Sequence, residues 1–414
     1  MTDHALLDAA PVPASVLGRG TATLQNAFAG LLEQPADGLL GLIALHRADP
    51  RPEKIDLGVG VFRNDAGATP VMRAVKEAEE ILLGSQDTKS YLGAEGDVAY
   101  AELLAEIALG RALAGSERIV GVQTPGGTGA LRLGAELLAR ARPQASVWIG
   151  NPTWPNHAPI FAEAGLSVKT HRFYDVARAT IDFDGMVHDL AQAAPGDILL
   201  LHGCCHNPTG AALSNEEWQA IASLCADRGL IAFVDLAYQG LGDGLEEDAQ
   251  ATRMLFEALP AVILAYSCDK NFGLYRERVG ALWVQAPGTQ VAATVRGNML
   301  SLARGIWSMP PDHGAAVVRT ILEHPELRAD WARELDEMRH RINLLRQTVA
   351  AQDSRLGFIA RQRGMFAMLP VDGVAVAAMR RDNGIYMAGN GRINIAGLTA
   401  QNVPLFVAGL APHI

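Results

Sequence analysis

The stretch Ile-Val-Gly-Val-Gln-Thr-Pro-Gly-Gly-Thr-Gly-Ala-Leu-Arg at positions 119–132 passes from an apolar run through a glycine-rich turn into a helical pattern. Consecutive apolar residues are typical of a strand buried on both faces of a parallel sheet. Similar runs follow, separated by helical patterns such as the one that begins with the capping-box pair Ser214 and Glu217. The further runs are Ser146–Gly150, Ile198–His202, Leu230–Leu236, Val262–Ser267 and Ala281–Gln285. This alternation predicts an α/β fold with a doubly wound, mostly parallel sheet.

The pattern changes near residue 325. Apolar residues then recur at helical spacing, which predicts one long helix of about 25 residues; they are Leu327, Trp331, Leu335, Met338, Ile342 and Leu345. A shorter α+β tail follows, and the early segment Ile55–Val61 is expected to join it as a strand. We therefore expect a large domain over residues 70–325 and a smaller α+β domain from residues 36–69 and 326–414. Residues 1–35, rich in Ala, Pro and Gly, are expected to form an N-terminal arm or a disordered tail.

Composition narrows the class of protein. The chain has 414 residues, of which 49% are hydrophobic and 19% charged, and its formal net charge is -10. No basic surface is expected to meet nucleic acid or an anionic membrane, and no apolar run reaches the roughly 18–20 residues of a membrane span. Four cysteines in a chain of this size are not expected to form a disulfide framework, and the first residues lack the basic and apolar regions expected of a secretion signal. These features favour a soluble protein of the cytoplasm.

The glycine-rich turn is a candidate anion site. Gly126, Gly127 and Thr128 place backbone N–H groups and a hydroxyl at the start of a helix, where an anion is favoured. The spacing matches neither a dinucleotide fingerprint nor a Walker A loop. A tight strand-to-helix turn without a ligand remains the alternative.

Two charged residues occur in or directly after buried strands. Lys270 follows Val262–Ser267, and only five of the 35 basic side chains are lysines; its amine is a candidate for a Schiff base, with Arg278 and Ser267 nearby in sequence. The alternative is a solvated loop lysine. Asp235 lies in an apolar run, so its carboxylate needs a cation, either a protonated heterocyclic nitrogen or an arginine.

Three other features carry weaker predictions. Two histidines and two cysteines fall within positions 202–206, but the adjacent Cys204 and Cys205 lack the spacing of zinc ligands, so no metal is expected. Asn207 to Gly210 is more simply a turn. Arg304 and Arg392 are candidates for binding a carboxylate, although each could equally be a surface arginine.

Taken together, these motifs resemble the fold-type I pyridoxal-phosphate aminotransferases of class I, of the bacterial aspartate and aromatic type. The resemblance runs from about Gly38 to the C-terminus. The strings that carry it are Tyr-Leu-Gly at 91–93, Thr-Pro-Gly-Gly-Thr-Gly at 124–129, Asn-Pro-Thr-Trp-Pro-Asn-His at 151–157 and Asn-Phe-Gly-Leu-Tyr at 271–275. It implies transfer of the amino group of L-aspartate or an aromatic L-amino acid to 2-oxoglutarate by a ping-pong mechanism. It also implies a cytoplasmic homodimer with shared active sites.

The resemblance assigns roles to individual residues. Pyridoxal 5'-phosphate is expected as a covalent aldimine at Lys270, which also moves the proton during catalysis. Asp235 is expected to pair with the pyridinium nitrogen, and Tyr238 and Asn207 with the phenolic oxygen. The other expected cofactor contacts are His157 behind Asp235, Trp154 on the ring face, and Gly126, Gly127, Thr128, Ser267, Arg278 and the second subunit's Tyr91 around the phosphate.

The implied substrate contacts are Arg392 for the α-carboxylate, the second subunit's Arg304 for a side-chain carboxylate, Gly60, Trp154 and Asn207. The sequence departs from the family at Asp269, where serine is usual, and at Trp307 and Met309, which add apolar bulk after Arg304. These departures leave the preferred amino donor open. A lyase or decarboxylase on the same scaffold, or a catalytically silent cofactor-binding protein, remains the alternative.

Overall fold

The computed structural model describes residues 28–33 and 38–414. Most of the expected N-terminal arm lies outside these residues. No described helix is long and apolar enough to cross a membrane.

A seven-stranded sheet forms the centre of the molecule, and its strands appear in the spatial order β2-β10-β9-β8-β7-β3-β4. In chain order the strands of the described chain are β1 (Ile55–Asp56), β2 (Ile119–Pro125), β3 (Ser146–Asn151), β4 (Ser167–Arg172), β5 (Tyr174–Asp175), β6 (Thr180–Ile181), β7 (Ile198–His202), β8 (Ile231–Leu236), β9 (Val262–Ser267), β10 (Val279–Gln285), β11 (Phe366–Met368), β12 (Ile385–Tyr386) and β13 (Arg392–Asn394). All six predicted apolar runs are strands of the large sheet.

Helices cover both faces of this sheet, which confirms the α/β prediction. They are α1 (Gly38–Ala48), α2 (Arg73–Ser85), α3 (Val98–Leu109), α4 (Arg111–Ala114), α5 (Gly126–Ala141), α6 (His157–Glu163), α7 (Phe183–Leu190), α8 (Asn215–Arg228), α9 (Gln250–Ala258), α10 (Thr289–Ile306), α11 (His313–Glu323), α12 (Pro325–Gln352), α13 (Gly373–Asn383) and α14 (Val403–Leu410). The capping box that begins α8 is present, with Ser214 and Glu217 bonded reciprocally.

Two features of the sheet differ from the sequence expectation. β10 runs antiparallel to both neighbours, β2 and β9, because a short connection of residues 268–278 returns the chain directly beside β9. β4 was not among the predicted strands, since its sequence Ser-Val-Lys-Thr-His-Arg is polar and it pairs only with β3 at the sheet edge. The antiparallel β10 places its first residue between the carboxyl ends of β2 and β9.

The long helix α12 spans 28 residues and buries all six of the predicted apolar residues. β1 pairs in parallel with β12, and β11 pairs with β13, so residues before the large sheet and after α12 form one group of small sheets. The domain division itself stays a prediction.

Arg346 joins α12 to this group. Its guanidinium is buried and donates to the carbonyl oxygens of Gly364 (Nε, 3.0 Å) and Phe366, among others. Burial lowers its pKa to about 9. Because a buried charge needs partners, these hydrogen bonds from Arg346 to carbonyl oxygens hold β11 against the long helix.

Candidate active site

The carboxyl ends of β8 and β9 place Asp235 and Lys270 in one cavity of about 250 Å³. Asp235 pairs with Ala265 across the two strands, and the chain leaves β9 at Ser267 to reach Lys270. Parallel neighbours end at the same sheet edge, so residues far apart in sequence meet there. The cavity is lined by Gly127, Thr128, Leu131, Trp154, His202, Asn207, Asp235, Ala237, Tyr238, Ser267, Asp269, Lys270 and Arg278.

A cup for an anion forms one end of the cavity. Gly126 and Gly127 begin α5, which has no side-chain cap of its own, so its first N–H groups are free for a ligand. Gly126 has a φ of 70°, and a Cβ there would lie 2.5 Å from Arg278 Nη2, so the position requires glycine. Ser267 faces Gly127 from the end of β9. The guanidinium, the hydroxyls of Thr128 and Ser267 and the helix N-terminus together favour a phosphate group.

Asp269 adds a negative charge to this cup. Its side chain is buried, with 7% of its surface exposed, and Oδ2 accepts a hydrogen bond from Arg278 Nη1 at 2.8 Å. Lys270 Nζ lies 3.8 Å from the same oxygen. Oδ1 is buried and has no hydrogen-bond partner among the described residues. The cup therefore holds two basic side chains and one carboxylate before any ligand enters.

Asp235 is bonded to His157, which lies behind it. His157 Nε2 donates to Asp235 Oδ2 at 3.0 Å, and Thr153 Oγ1 lies 2.8 Å from His157 Nδ1. Burial favours the neutral acid, but the hydrogen bond from His157 and the charges around it outweigh burial and hold the pKa of Asp235 below its usual value. The buried carboxylate is thus ionised and suited to a cationic partner.

Lys270 is placed to act as a neutral amine. Burial lowers the pKa of its ammonium group, although Asp269 and Asp235 oppose this effect. A buried amine of lowered pKa can attack a carbonyl and can accept a proton. Nζ lies 5.3 Å from the centre of the Tyr238 ring, so the amine and the phenol share the cavity.

Tyr238 and Asn207 lie together beside Lys270. Asn207 Nδ2 donates to the Tyr238 hydroxyl at 3.3 Å, while Asn207 Oδ1 is buried without a partner in the described chain. Burial, reinforced by Asp235, raises the pKa of Tyr238 well above its usual value, so its hydroxyl stays a donor. Trp154 is half-buried on the cavity wall, with its ring edge against His157.

Arg392 lies in a wider cleft of about 950 Å³ that it shares with Trp154. Its Nη2 donates to the Gly58 carbonyl at 2.8 Å, its guanidinium carbon lies 4.9 Å from the centre of the Phe366 ring, and its Nε is buried without a partner in the described residues. Burial lowers its pKa. Gly60 packs on the same ring, where a Cβ would lie 2.8 Å from Phe366 Cζ. The free Nε leaves this arginine able to bind a carboxylate.

Gly60, Gly126, His157, Tyr91 and Arg304 are the predicted site residues that line neither cavity, and of these Tyr91 and Arg304 lie on the exposed surface. Tyr91 is 93% exposed, and Arg304 is exposed near the end of α10, where Nη1 donates to Ser308 Oγ at 2.8 Å. Trp307 and Met309 follow, and the Met309 sulfur lies 3.0 Å from the backbone nitrogen of Leu92. Thus Tyr91 and Arg304 lie on one connected stretch of surface.

Within the part of the chain that the structure describes, two groups of three His, Cys or Asp side chains have potential metal-ligand atoms within 4.8 Å of one another, namely His157–His202–Asp235 and Cys204–Cys205–Asp248. In the first group, the two nitrogens of His157 are engaged by Asp235 and Thr153. In the second, Asp248 accepts from the backbone N–H groups of residues 240, 242 and 243. These contacts give both groups a structural role in the loops that support the site.

Sequence reasoning missed several residues of the site. His202 lines the cavity, and its ring centre lies 5.1 Å from that of His157; its position at the end of β7 could have suggested this. Phe366 and Gly58, which contact Arg392, could not be identified from a sequence pattern because their role depends on tertiary packing. The pairing of Asp269 with Arg278 also depends on the turn between β9 and β10.

Comparisons with known proteins agree with this geometry. The family model for aminotransferase class I and II matches residues 52–410. Tyrosine aminotransferase of Rhizobium meliloti is 51% identical over 90% of this chain and 96% of its own length. Aspartate aminotransferase of Escherichia coli is 42% identical over 91% of this chain and 97% of its own. The crystal structure of an aromatic-amino-acid aminotransferase from Burkholderia pseudomallei, covalently bound to pyridoxal phosphate, superposes with a TM-score of 0.90 at 38% identity, covering 93% of this chain and 99% of that one.

Proposed function

Because the chain belongs to the class I and II aminotransferase family, we propose that it transfers the amino group of L-aspartate or an aromatic L-amino acid to 2-oxoglutarate. The observation that carries the proposal is the meeting of Lys270, Asp235 and the anion cup in one cavity. An amine, a buried carboxylate and a phosphate cup in one place are the groups that a ping-pong transamination on pyridoxal phosphate requires.

The cavity fits pyridoxal 5'-phosphate. When bound, this cofactor supplies an aldehyde that takes up the amino group and a ring that withdraws electrons from the substrate Cα. We assign its phosphate to the cup at Gly126, Gly127, Thr128, Ser267 and Arg278, and its ring nitrogen to Asp235, whose ionised carboxylate favours a protonated partner. The unpartnered Asn207 and the Tyr238 hydroxyl are the groups for its phenolic oxygen, and Trp154 for its ring face.

The chain's own residues then handle protons. Lys270 Nζ is the covalent attachment point and, once released, the base that takes the proton from the substrate Cα and returns it. Its lowered pKa supplies the neutral amine that this role needs. His157 keeps Asp235 in place and ionised through its Nε2 hydrogen bond. Tyr238 keeps its own proton, so it acts as a fixed donor.

Substrate carboxylates are assigned to the two arginines. Arg392, with its free Nε, takes the α-carboxylate. Gly60, which packs on the Phe366 ring, closes over the substrate. Arg304 takes a side-chain carboxylate, and Trp307 and Met309 beside it offer an apolar surface to an aromatic ring. This mixture of a charged and an apolar surface suits both acidic and aromatic amino donors.

We assign Tyr91 and Arg304 to the active site of a second copy of the chain. Both are exposed in one protomer, and large apolar side chains nearby in sequence, Val71, Leu83 and Leu92, are also exposed. A homodimer would cover this surface and complete each site. The proposed location is the cytoplasm, where the four free cysteines would stay reduced.

Domain movement forms part of the proposal. Residues 36–69 and 326–414, which carry Gly60 and Arg392, would move as the smaller domain against residues 70–325, which carry Lys270 and the cup. Closure would exclude water from the cavity while the proton moves.

The proposal is tested by single-turnover absorbance on enzyme loaded with pyridoxal phosphate, with L-aspartate or L-phenylalanine added and no oxo acid. Conversion of the bound cofactor to pyridoxamine phosphate, with one equivalent of oxo acid released, is expected. The ratio of the two rates gives the preferred donor. Carbon dioxide or ammonia released without an oxo acid would indicate a decarboxylase or lyase and would overturn the proposal.

A further inference from the structure

The carboxylate of Asp269 stands inside the cup that an anion would enter. It lines the cavity beside Gly127, Thr128, Ser267 and Arg278. Its Oδ2 is held by Arg278, whereas the buried Oδ1 has no partner among the described residues. A buried carboxylate oxygen without a donor is costly, so a donor should arrive with the ligand.

We propose that Asp269 makes the cup take the cofactor phosphate together with one proton, held between the Asp269 carboxylate and a phosphate oxygen. This inference rests on the proposed function, because the phosphate is that of pyridoxal phosphate. It makes Asp269 a cofactor-binding residue that couples phosphate binding to pH.

Charge counting supports the extra proton. Once Lys270 is consumed by covalent attachment, the fixed positive charge at the cup is Arg278 and roughly half a charge from the N-terminus of α5. Against these stand Asp269 and a phosphate that carries two negative charges at neutral pH. One proton removes one of the three negative charges; because the second pKa of a phosphate monoester is about 6, the Asp269 charge has to raise this pKa for the proton to stay bound above pH 7.

No described group that faces Asp269 is a better acceptor for this proton than the carboxylate and the phosphate. Arg278 and Lys270 are the cations that face it. Tyr275 and Cys268 are buried, and burial together with the Asp269 charge raises the pKa of each, so both already hold their protons. Tyr100, on α3, is likewise held protonated by burial. Asp235 on β8 is committed to His157.

The test measures protons directly. Apoenzyme is titrated with pyridoxal phosphate by calorimetry in two buffers of different ionisation enthalpy, for the wild type and for Asp269→Asn. Covalent attachment at Lys270 also changes the proton count, and because the Asp269 charge opposes the lowering of the Lys270 pKa, this contribution is measured in each protein with pyridoxal. We expect the wild type to take up about one proton more than the variant at pH 7.5, and its affinity to fall about tenfold more per pH unit between pH 7 and 9.

Two controls separate the phosphate from other causes. Pyridoxal, which lacks the phosphate, gives the part of the difference between wild type and Asp269→Asn that arises at Lys270, and the extra proton is counted beyond this part. Asp189→Asn removes a carboxylate that is paired with Arg172 at 2.7 Å outside the cup, and it should behave as wild type. Equal proton counts for pyridoxal phosphate in wild type and Asp269→Asn would overturn the inference.

A second measurement needs no variant. The ³¹P resonance of the cofactor bound to the wild type should lie in the monoanion range and stay there from pH 6 to 9. A resonance in the dianion range would overturn the inference even if Asp269→Asn fails to fold. Borohydride reduction followed by peptide mapping distinguishes the two failures: no adduct at Lys270 overturns the proposed function as well, whereas an adduct without the extra proton overturns only the role of Asp269.

Discussion

The buried edge of the sheet and the exposed surface at Tyr91 and Arg304 are built in different ways. At the sheet edge, Asp235, His157 and Thr153 are joined by hydrogen bonds of 2.8–3.0 Å within one chain. At the surface, Arg304 has its bond to Ser308, and Tyr91 is 93% exposed. The difference teaches that one protomer alone positions most of the groups assigned to the cofactor, whereas Tyr91, assigned to its phosphate, and Arg304, assigned to a side-chain carboxylate of the substrate, would need a partner to order them.

The strongest test of the buried edge is Lys270→Ala. Transamination should fall by at least about ten-thousand-fold, because both the covalent attachment point and the base are lost. Turnover is measured by coupled release of the oxo acid, and folding by thermal melting. Lys76→Ala, on the exposed face of α2, is the matched control and should keep full activity. Multiple turnovers by Lys270→Ala would contradict the assignment.

Asp235→Asn tests the charge at this edge while keeping its shape. The half-reaction with L-aspartate should slow by about a thousandfold, because no anion then holds a proton on the cofactor ring nitrogen. Asp197→Asn is the control, since Asp197 is also buried and accepts from the Trp148 indole at 2.9 Å. A loss of rate no greater than that of Asp197→Asn would mean that Asp235 acts only in folding.

Arg304→Ala tests the exposed surface. Its kcat/KM for aspartate should fall by about a hundredfold, because charge-assisted hydrogen bonds to the side-chain carboxylate are lost, while phenylalanine is little affected. Arg296→Ala, exposed on the same helix, is the control. Equal losses for aspartate and phenylalanine would remove Arg304 from substrate recognition.

Mixing the inactive variants sharpens the comparison further. If Arg304 serves the partner's site, heterodimers of Lys270→Ala and Arg304→Ala contain one intact site, and about a quarter of the wild-type aspartate activity should return. If Arg304 serves its own chain, mixing restores nothing.

The smallest effect concerns stability at acid pH. Burial lowers the pKa of His171 and His206, and lowers that of His202 to about 3, so His202 stays neutral in the folded protein near pH 5. The unfolded chain protonates this histidine below about pH 6.5, so His202 lowers the free energy of unfolding by about 1.4 kcal/mol per pH unit as the pH falls from about 6.5 towards 3. Burial raises the pKa of Asp248 to about 6, so this carboxyl acts in the opposite sense as the pH falls from 6 towards 4.

His202→Asn should therefore reduce the proton uptake on unfolding near pH 5 by about one, as measured by urea denaturation across pH. His340→Asn, on the exposed face of α12, is the control for the substitution itself. An unchanged slope in His202→Asn would show that this histidine is accessible to protons in the native state.

The large sheet could be predicted from the sequence because buried parallel strands are continuous apolar runs. This pattern is local and can be recognised without the tertiary structure. It also singled out Asp235 and Lys270, since the first lies within such a run and the second follows one directly. The antiparallel direction of β10 could not be predicted from the sequence, because an antiparallel strand buried on both faces has the same apolar character as a parallel one. β4 was missed for the opposite reason, as an edge strand needs little apolar surface.

The site was predictable to the extent that local motifs carry it. The glycines that begin α5 were readable because a strand, a turn and a helix follow one another directly. The bonds of Arg392 to Gly58 and of Asp269 to Arg278 were not, since the first joins residues more than 300 positions apart and the second depends on one turn. The roles assigned to all these residues stay predictions until the variants are measured.

The hydrogen bonds of Arg346 to carbonyl oxygens bear on how the substrate range of such an enzyme can change. Arg346 fixes the Phe366 carbonyl, and the Phe366 ring supports both Arg392 and Gly60. The residues assigned to bind the substrate are thus supported by the long helix, while the cup and Asp235 are supported by the sheet. Exchange of residues 55–61 and 346–394 together between relatives would move Arg392 and Gly60 with the residues that support them, so that the substrate range can change by recombination without disturbing the half of the molecule assigned to the cofactor.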